Sequence, residues 1–469
     1  MKKSLLLASA LVASFGAFAA TDGNTYESVD GYTFTSISAN RAIDGKYSAL
    51  VNTAFPSLDY VRTATILNGK VYVASSKVLG GDGALMDQGA MAIFDAQTGE
   101  YEKTVQLTVD GAPLEGLLCA NCIDHDNFGH LYVCGFRGTM WTSSEANPDG
   151  AANPLKVYSI DPATGACTLQ AEVGLTEDDR SASGRVDFID VAGDLTRQEG
   201  RCVIMAAPSG ADNTYIYGWA CEQGSDEFGP HLVDGEYYCL NVEKESLYPE
   251  LDNFNGGTTV NIVADEDQLY TNFYLDDMNC TPVLLTSDLS ALGSFKEVEE
   301  PELAKGEIGL VPKTNPTGAI EFSFGDDVFM LYSVEEYEVE QAQACRSNLV
   351  KLGEGGSFAG MKRMALFPTD GLGHEKGGPG ARVVSFDAQV VTDDNGNHAA
   401  YVFVYKTGNG FAYYLFAEPG YQGDSGVEGI VADNNAPVEY FNLQGVRVAN
   451  PENGVYIRRQ GANVTKVVK

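Results

Sequence analysis

Short apolar or alternating runs, each cut off by a glycine turn, recur along this chain, and one such arrangement returns nearly whole. Residues 66–107 contain Gly69-Lys-Val-Tyr72-Val-Ala followed by Ala90-Met-Ala-Ile-Phe-Asp95-Ala-Gln-Thr-Gly99. Residues 124–173 contain Gly129-His-Leu-Tyr132-Val-Cys followed by Leu155-Lys-Val-Tyr-Ser-Ile-Asp161-Pro-Ala-Thr-Gly165. Self-similarity with period-two apolar runs means repeated β units, since long helical periodicity is absent. Looser copies surround Ile204, Tyr270, Phe329 and Tyr401. With Tyr72 and Tyr132 they give steps of about 60, 72, 66, 59 and 72 residues. A four-stranded propeller blade needs about 40–50 residues, so each unit is one blade with loop excess. The expectation is an all-β chain, a β-propeller of six four-stranded blades over 58–418; five or seven blades also fit.

Within a unit, the alternating run before the Gly turn supplies the inner strand and the Tyr-Val run the second. The Ala-Ile-Phe and Val-Tyr-Ser-Ile runs supply the third, and residues 104–107 or 167–170 the fourth. The Asp-x-x-Thr-Gly segments join third to fourth, with the Asp side chain accepting local amides and Gly taking positive φ. Second-to-third connections are long at 75–89, 135–154 and about 207–235, and in a propeller they open on one face. Long loops on a rigid scaffold are where binding sites concentrate. Residues 20–57 either donate a strand that closes the ring or pack across a face.

The last part of the chain changes texture. A Gly/Asp/Asn linker at 419–437 leads into a β segment at 438–469, read as three short strands and basic where the rest is acidic. Tyr440-Phe-Asn-Leu-Gln-Gly445 with Arg447-Val448, then Asn453-Gly454-Val-Tyr456-Ile, then Lys466-Val-Val-Lys469 resemble the C-terminal sorting domains of the type IX secretion system. The resemblance covers about the last 40 residues. It implies that Gly445, Arg447, Gly454, Tyr456, Lys466 and Lys469 belong to a segment read by secretion machinery, with passage through the periplasm to the cell surface or the medium. The segment is shorter than full sorting domains. The repeat region looks like generic exported β-propellers, through its Gly-x-x-Tyr-Val and Asp-x-x-Thr-Gly elements alone.

The start of the chain agrees with export. Lys2 and Lys3, an apolar stretch from Leu5 to Phe18 and Ala17-Phe18-Ala19 form a secretory signal, cut after residue 19. No later segment is long and apolar enough to span a membrane. With 30 Lys and Arg against 65 Asp and Glu, the net charge is −35. It becomes −37 once the leader takes Lys2 and Lys3, because 28 bases then face 65 acids. Such a field repels nucleic acid and anionic lipid.

Nine cysteines are an odd count for an oxidising compartment. Cys119-Ala-Asn-Cys122 is the one close pair, a candidate disulfide. It is no zinc site, since a second pair at ligand spacing is missing. Cys134, Cys202 and Cys239 fall in apolar runs as small hydrophobes. Gly355-Gly-Ser357-Phe-Ala359 misses the nucleophile elbow, and His374-Glu375 lacks a second zinc histidine. His125 and His130 read as turn residues. Carboxylate pairs such as Asp326-Asp327 and Asp393-Asp394 suit tight turns, with Ca²⁺ as the one metal they would admit and no other cofactor expected.

Two groups point to a ligand. Phe136-Arg137-Gly-Thr-Met-Trp141 puts one of two tryptophans in a long loop beside a guanidinium, either to stack on a sugar or aromatic ligand with Arg137 for an anionic group, or to pack against a neighbouring loop. Arg62, Arg185 and Arg382 each open an inner strand, so a ring brings them to the channel mouth, there to hold an anion or to pair with Asp59, Asp187 or Asp387. The functional expectation is an exported, non-enzymatic propeller binding a glycan or protein partner at the cell surface through its long-loop face. A glycan-active lyase or hydrolase on the same scaffold, and a cell-envelope scaffold, are the alternatives.

Overall fold

The computed structural model describes residues 21–45, 55, 60–196, 202–206, 217–221, 259–263, 272–276, 282–286, 291–293, 319–334, 346–373 and 384–423, and strands at 438–441, 447–448, 455–460 and 463–468. They divide into two units, Met1–Tyr421 and Gln422–Lys469. The first is an all-β propeller arrangement of antiparallel sheets, each built as a meander from an inner strand outward. Five sheets reach four strands, against the six full blades expected. They begin at the inner strands Val61–Leu67, Cys122–His125, Thr259–Val263, Ala319–Phe324 and Val384–Thr392. The sheet that begins at Asp190–Ala192 has three strands among the described residues, since the stretch after Cys221 lies outside them.

The turns form as their side chains dictate. Asp95 Oδ1 accepts the amides of Gln97 and Thr98 at 3.1 and 2.9 Å, and Gly99 takes φ of 71°. Asp161 repeats the arrangement, accepting the Ala163 amide at 2.9 Å and the Thr164 hydroxyl at 2.7 Å. Apolar alternation then fills the spaces between sheets. Tyr132, Val157, Ile204 and Trp219 lie in one such core. Phe329, Leu331, Val402 and Phe416 lie in another.

One sheet contains both ends of the repeat region. Thr33–Arg41 pairs antiparallel with Gly410–Ala417, from Thr33 opposite Ala417 to Arg41 opposite Gly410. Phe34 stacks on Tyr414 with ring centroids 4.7 Å apart. The buried Arg41 guanidinium reaches Asp44 at 3.0 Å, Asp370 at 2.5 Å and the Asp22 carbonyl at 2.8 Å. The Asp22 carboxylate accepts hydroxyls from Tyr26 and Tyr414.

The second unit is one four-stranded sheet, in the order Arg447–Val448, Val438–Phe441, Val455–Gln460, Asn463–Val468. Four strands thus form where three were read from the sequence. Of the segment's named positions, Gly445, Gly454 and Lys469 lie outside the described residues; Arg447, Tyr456 and Lys466 lie on its strands.

The closing sheet yields a direct test. Gly410 has φ of 102°, and a Cβ there would lie 2.1 Å from the Asn40 carbonyl oxygen. Gly410→Ala should destabilise the protein by roughly 1–2 kcal/mol from its backbone conformation alone, with the clash adding to that. A lowered denaturation midpoint at unchanged slope in urea is the expected reading.

Candidate active site in the central channel

The inner strands converge on a cavity of about 200 Å³. Its wall includes Thr63 and Thr65, then Cys122 to His125, Phe188 to Asp190, Val260 to Ile262, Ile320, and Val384 to Ala388. Each inner strand brings alternate side chains and one bare edge to the axis, so a polar residue inside an apolar run ends in the channel. Three carboxyl groups arrive in this way, Asp124, Asp190 and Asp387, together with the imidazole of His125.

Their contacts define a connected group. Asp124 and Asp190 hydrogen-bond to each other through their carboxyls. Asp190 also accepts the Val191 amide at 2.8 Å and the Ile262 amide from the neighbouring sheet. His125 lies between the two sides of the cluster. Its Nε2 is 3.5 Å from Asp387 Oδ2, and its Nδ1 is 4.0 Å from Asp124 Oδ1 and 2.8 Å from the Thr65 hydroxyl. Asp124 keeps 24% of its side-chain surface exposed and Asp387 16%, toward the channel.

Burial in the channel wall pushes all three carboxyls upward. Asp124 is driven well above the usual carboxylate range, by desolvation first and by the charge of Asp190 next. Asp190 is raised by desolvation, against the amides and the Asp124 hydrogen bond that favour its charged form. Asp387 is raised by desolvation against the opposing effect of His125. Both shifts have one origin, two carboxyls taken out of water side by side, while two backbone amides favour the charged form of Asp190.

Two of the three arginines named from the sequence, Arg62 and Arg185, lie near each other and near Asp187. The Arg185 Nε donates to Asp187 at 2.6 Å, the ion pair given above as an alternative to anion binding, and its guanidinium lies 5.5 Å from the Phe136 ring centroid. Arg62 lies near enough to feel both charges. Desolvation lowers its pKa, Asp187 opposes that, and Arg185 adds to it. Asn121 donates to the Asp187 carbonyl at 2.8 Å, and Thr63 accepts the Ile123 amide at 2.7 Å. Arg382 lies outside the described residues.

The long-loop pair has structural work instead. Arg137 donates to the carbonyls of Pro154 at 2.7 Å and Phe136 at 3.0 Å, and its backbone pairs with Val186. Trp141 is half-buried in a hairpin formed by Trp141–Ser144 and Asn147–Ala152, with its indole N–H donating to the Asp149 carbonyl at 3.0 Å. Cys119 and Cys122 are both thiols and face different ways. Cys119 donates to the Leu114 carbonyl at 3.4 Å, and burial raises it to about 11. Cys122 turns toward Cys134.

Sequence reasoning missed the carboxyl cluster and placed His125 in a turn, whereas it ends the inner strand Cys122–His125. The signal was an acid directly after apolar residues, in Cys122-Ile-Asp124, Phe188-Ile-Asp190 and Phe386-Asp387. His130 does belong to a turn. Its Nδ1 is 2.9 Å from Asp126 and 3.4 Å from Asp194, in the one group of three such ligand atoms among the described residues. Asp126 already accepts from Phe128, His130 and Tyr132, and Asp194 from Thr196, so the cluster works as a clasp between neighbouring sheets.

No family model and no curated protein matches the chain. Among solved structures it is similar to an α-L-arabinanase from Penicillium chrysogenum complexed with arabinobiose, at 8% identity and a TM-score of 0.37, covering 76% of this chain and 95% of that one. It is also similar to the polysaccharide lyase Uly1, at 8% identity and 0.33, covering 77% and 78%. A glycosyl hydrolase from Bacteroides ovatus matches at 9% identity and 0.29, covering 86% and 94%. At such scores and identities the likenesses carry no argument about activity.

The raised carboxyls have a cost in stability with a definite sign. The folded state binds more protons than the unfolded state once pH exceeds the ordinary aspartate value of about 3.9. Their contribution is therefore full below that pH and is lost as pH rises toward their folded values. Asp124→Asn removes the titration while keeping a donor for Asp190. It should melt above wild type at pH 7, by about 2–4 °C for each kcal/mol regained, with the difference fading by pH 4. Thermal unfolding at both pH values measures this.

Proposed function

We propose that the protein is an exported, glycan-active enzyme, a hydrolase or lyase, whose acid–base chemistry lies in the central channel. The observation that carries the reading is the hydrogen-bonded Asp124–Asp190 pair facing Asp387 across His125. Cleavage of a glycan needs one group that gives a proton to the leaving oxygen and another that takes a proton or attacks. Asp124, kept neutral by burial and by Asp190, suits the acid. Asp387 beside His125 suits the base or nucleophile, and Asp190 holds the proton on Asp124. Environments that drive neighbouring carboxyls into different protonation states mark such assignments.

The non-enzymatic binding reading rested chiefly on Trp141 and Arg137, and both are engaged with their own loops. The channel, by contrast, brings three carboxyls and an imidazole into one cavity. On this reading Arg62, Arg185 and Asp187, which lie near one another, would orient a substrate as it enters the cavity. Export is part of the same proposal: the Lys2–Ala19 leader and the resemblance of residues 438–469 to sorting domains support it, with the secretion machinery as a partner.

A panel of neutral and acidic polysaccharides incubated with the mature protein tests the reading, by reducing ends and by absorbance of unsaturated products. Wild type should cleave one class. Asp124→Asn and Asp387→Asn, folded by circular dichroism, should lose about 10²–10⁴-fold in rate, the usual worth of a general acid or base. Binding without turnover, unchanged in both variants, would return the protein to the ligand-binding reading.

A further inference from the structure

Two cysteines oppose each other in the wall of the channel, one of them beside the carboxyl cluster. Cys122 is in direct register with Cys134 of the strand Leu131–Cys134, and their thiols hydrogen-bond. Directly opposed residues of an antiparallel pair have Cα atoms about 4.5–5.5 Å apart. A disulfide requires about 4.4–6.8 Å, so the strands need not move to be bridged. Cys122 lines the cavity and Cys134 lies behind it, with 4% and 1% of their surfaces exposed.

The other nearby cysteines do not compete for either partner. Cys119, three residues away in sequence, has its thiol on the Leu114 carbonyl. Cys202 and Cys221 share the same apolar core, yet they are opposed to each other on their own strands. No three of these thiols converge as a metal would need among the described residues. Cys122 and Cys134 are thus a dithiol in contact, and the Cys122 sulfur borders the carboxyl cluster.

We propose that Cys122 and Cys134 form a cross-strand disulfide, a modification site built into the wall of the channel. Each thiol gives up its hydrogen and one S–S bond forms. The two electrons and two protons pass to a disulfide oxidant of the glutathione type, which leaves as two thiols. Exported chains meet such oxidants while they fold. The pair closes at that stage, because burial and the Cys134 contact raise the Cys122 thiol and leave little thiolate once the core is packed. The bond also ends the Cys122 thiol's hydrogen bond to the Ile189 carbonyl, 3.7 Å away, beside Asp190. In its place the two strands that carry and back Asp124 and His125 become covalently joined.

The test does not depend on the glycan reading. The full mature chain is refolded from its reduced, denatured state with reduced and oxidised glutathione, denatured again, alkylated, and digested without reductant. The expected map contains a peptide linking Cys122 to Cys134, two hydrogen masses lighter than its parts, with both cysteines lost from alkylation. Cys134→Ser should restore alkylation of Cys122. A wild-type map in which both cysteines are alkylated, or in which Cys122 is joined to any other cysteine, overturns the proposal without recourse to a variant.

Discussion

The pairing of Thr33–Arg41 with Gly410–Ala417 is the constraint on which the other features depend, because it joins the first strand of the propeller to the last. An open run of sheets would leave an unpaired edge on the final blade, a template for association with another chain. Here the edge is taken by the chain's own start, and three devices hold it. The Arg41 guanidinium gathers Asp44, Asp370 and the Asp22 carbonyl. Phe34 stacks on Tyr414. Gly410 lets the backbone approach Asn40 more closely than any side chain would allow. Closure in turn brings the inner strands round a common axis, so that residues far apart in sequence, such as Asp124 and Asp387, share one cavity.

A channel made this way lines itself with strand edges, and its polarity follows from which residues interrupt the apolar runs. Placing three carboxyls there raises all of them and works against stability at neutral pH. Turn aspartates such as Asp161 show the opposite behaviour. The Thr164 hydroxyl and local amides hold its carboxyl below the usual range. The same residue type is thus a stabilising turn element at the rim of the blades and a destabilising proton carrier at the axis. That contrast separates the candidate machinery from the large acidic surplus of the chain.

Much of the architecture was legible in the sequence because it is local. Asp95 to Gly99 and Asp161 to Gly165 specify their turns through contacts within five residues, and the apolar alternation specifies which faces are buried. The candidate site did not follow, because it depends on the identity of inner-strand residues across sheets. Asp124 looks unremarkable until Asp190 lies beside it. The contacts of Trp141 and Arg137 were hidden for a related reason, since they donate to the carbonyls of Asp149 and Pro154, which no composition or spacing displays.

The central claim is that one carboxyl of the channel stays protonated at neutral pH. Infrared spectroscopy of the mature protein in solution tests it most directly, through the C=O stretch of a carboxylic acid, compared between wild type and Asp124→Asn. The account predicts a protonated-acid band at pH 7 in wild type that is missing from the variant. A wild-type spectrum at pH 7 with ionised carboxylates alone would contradict it.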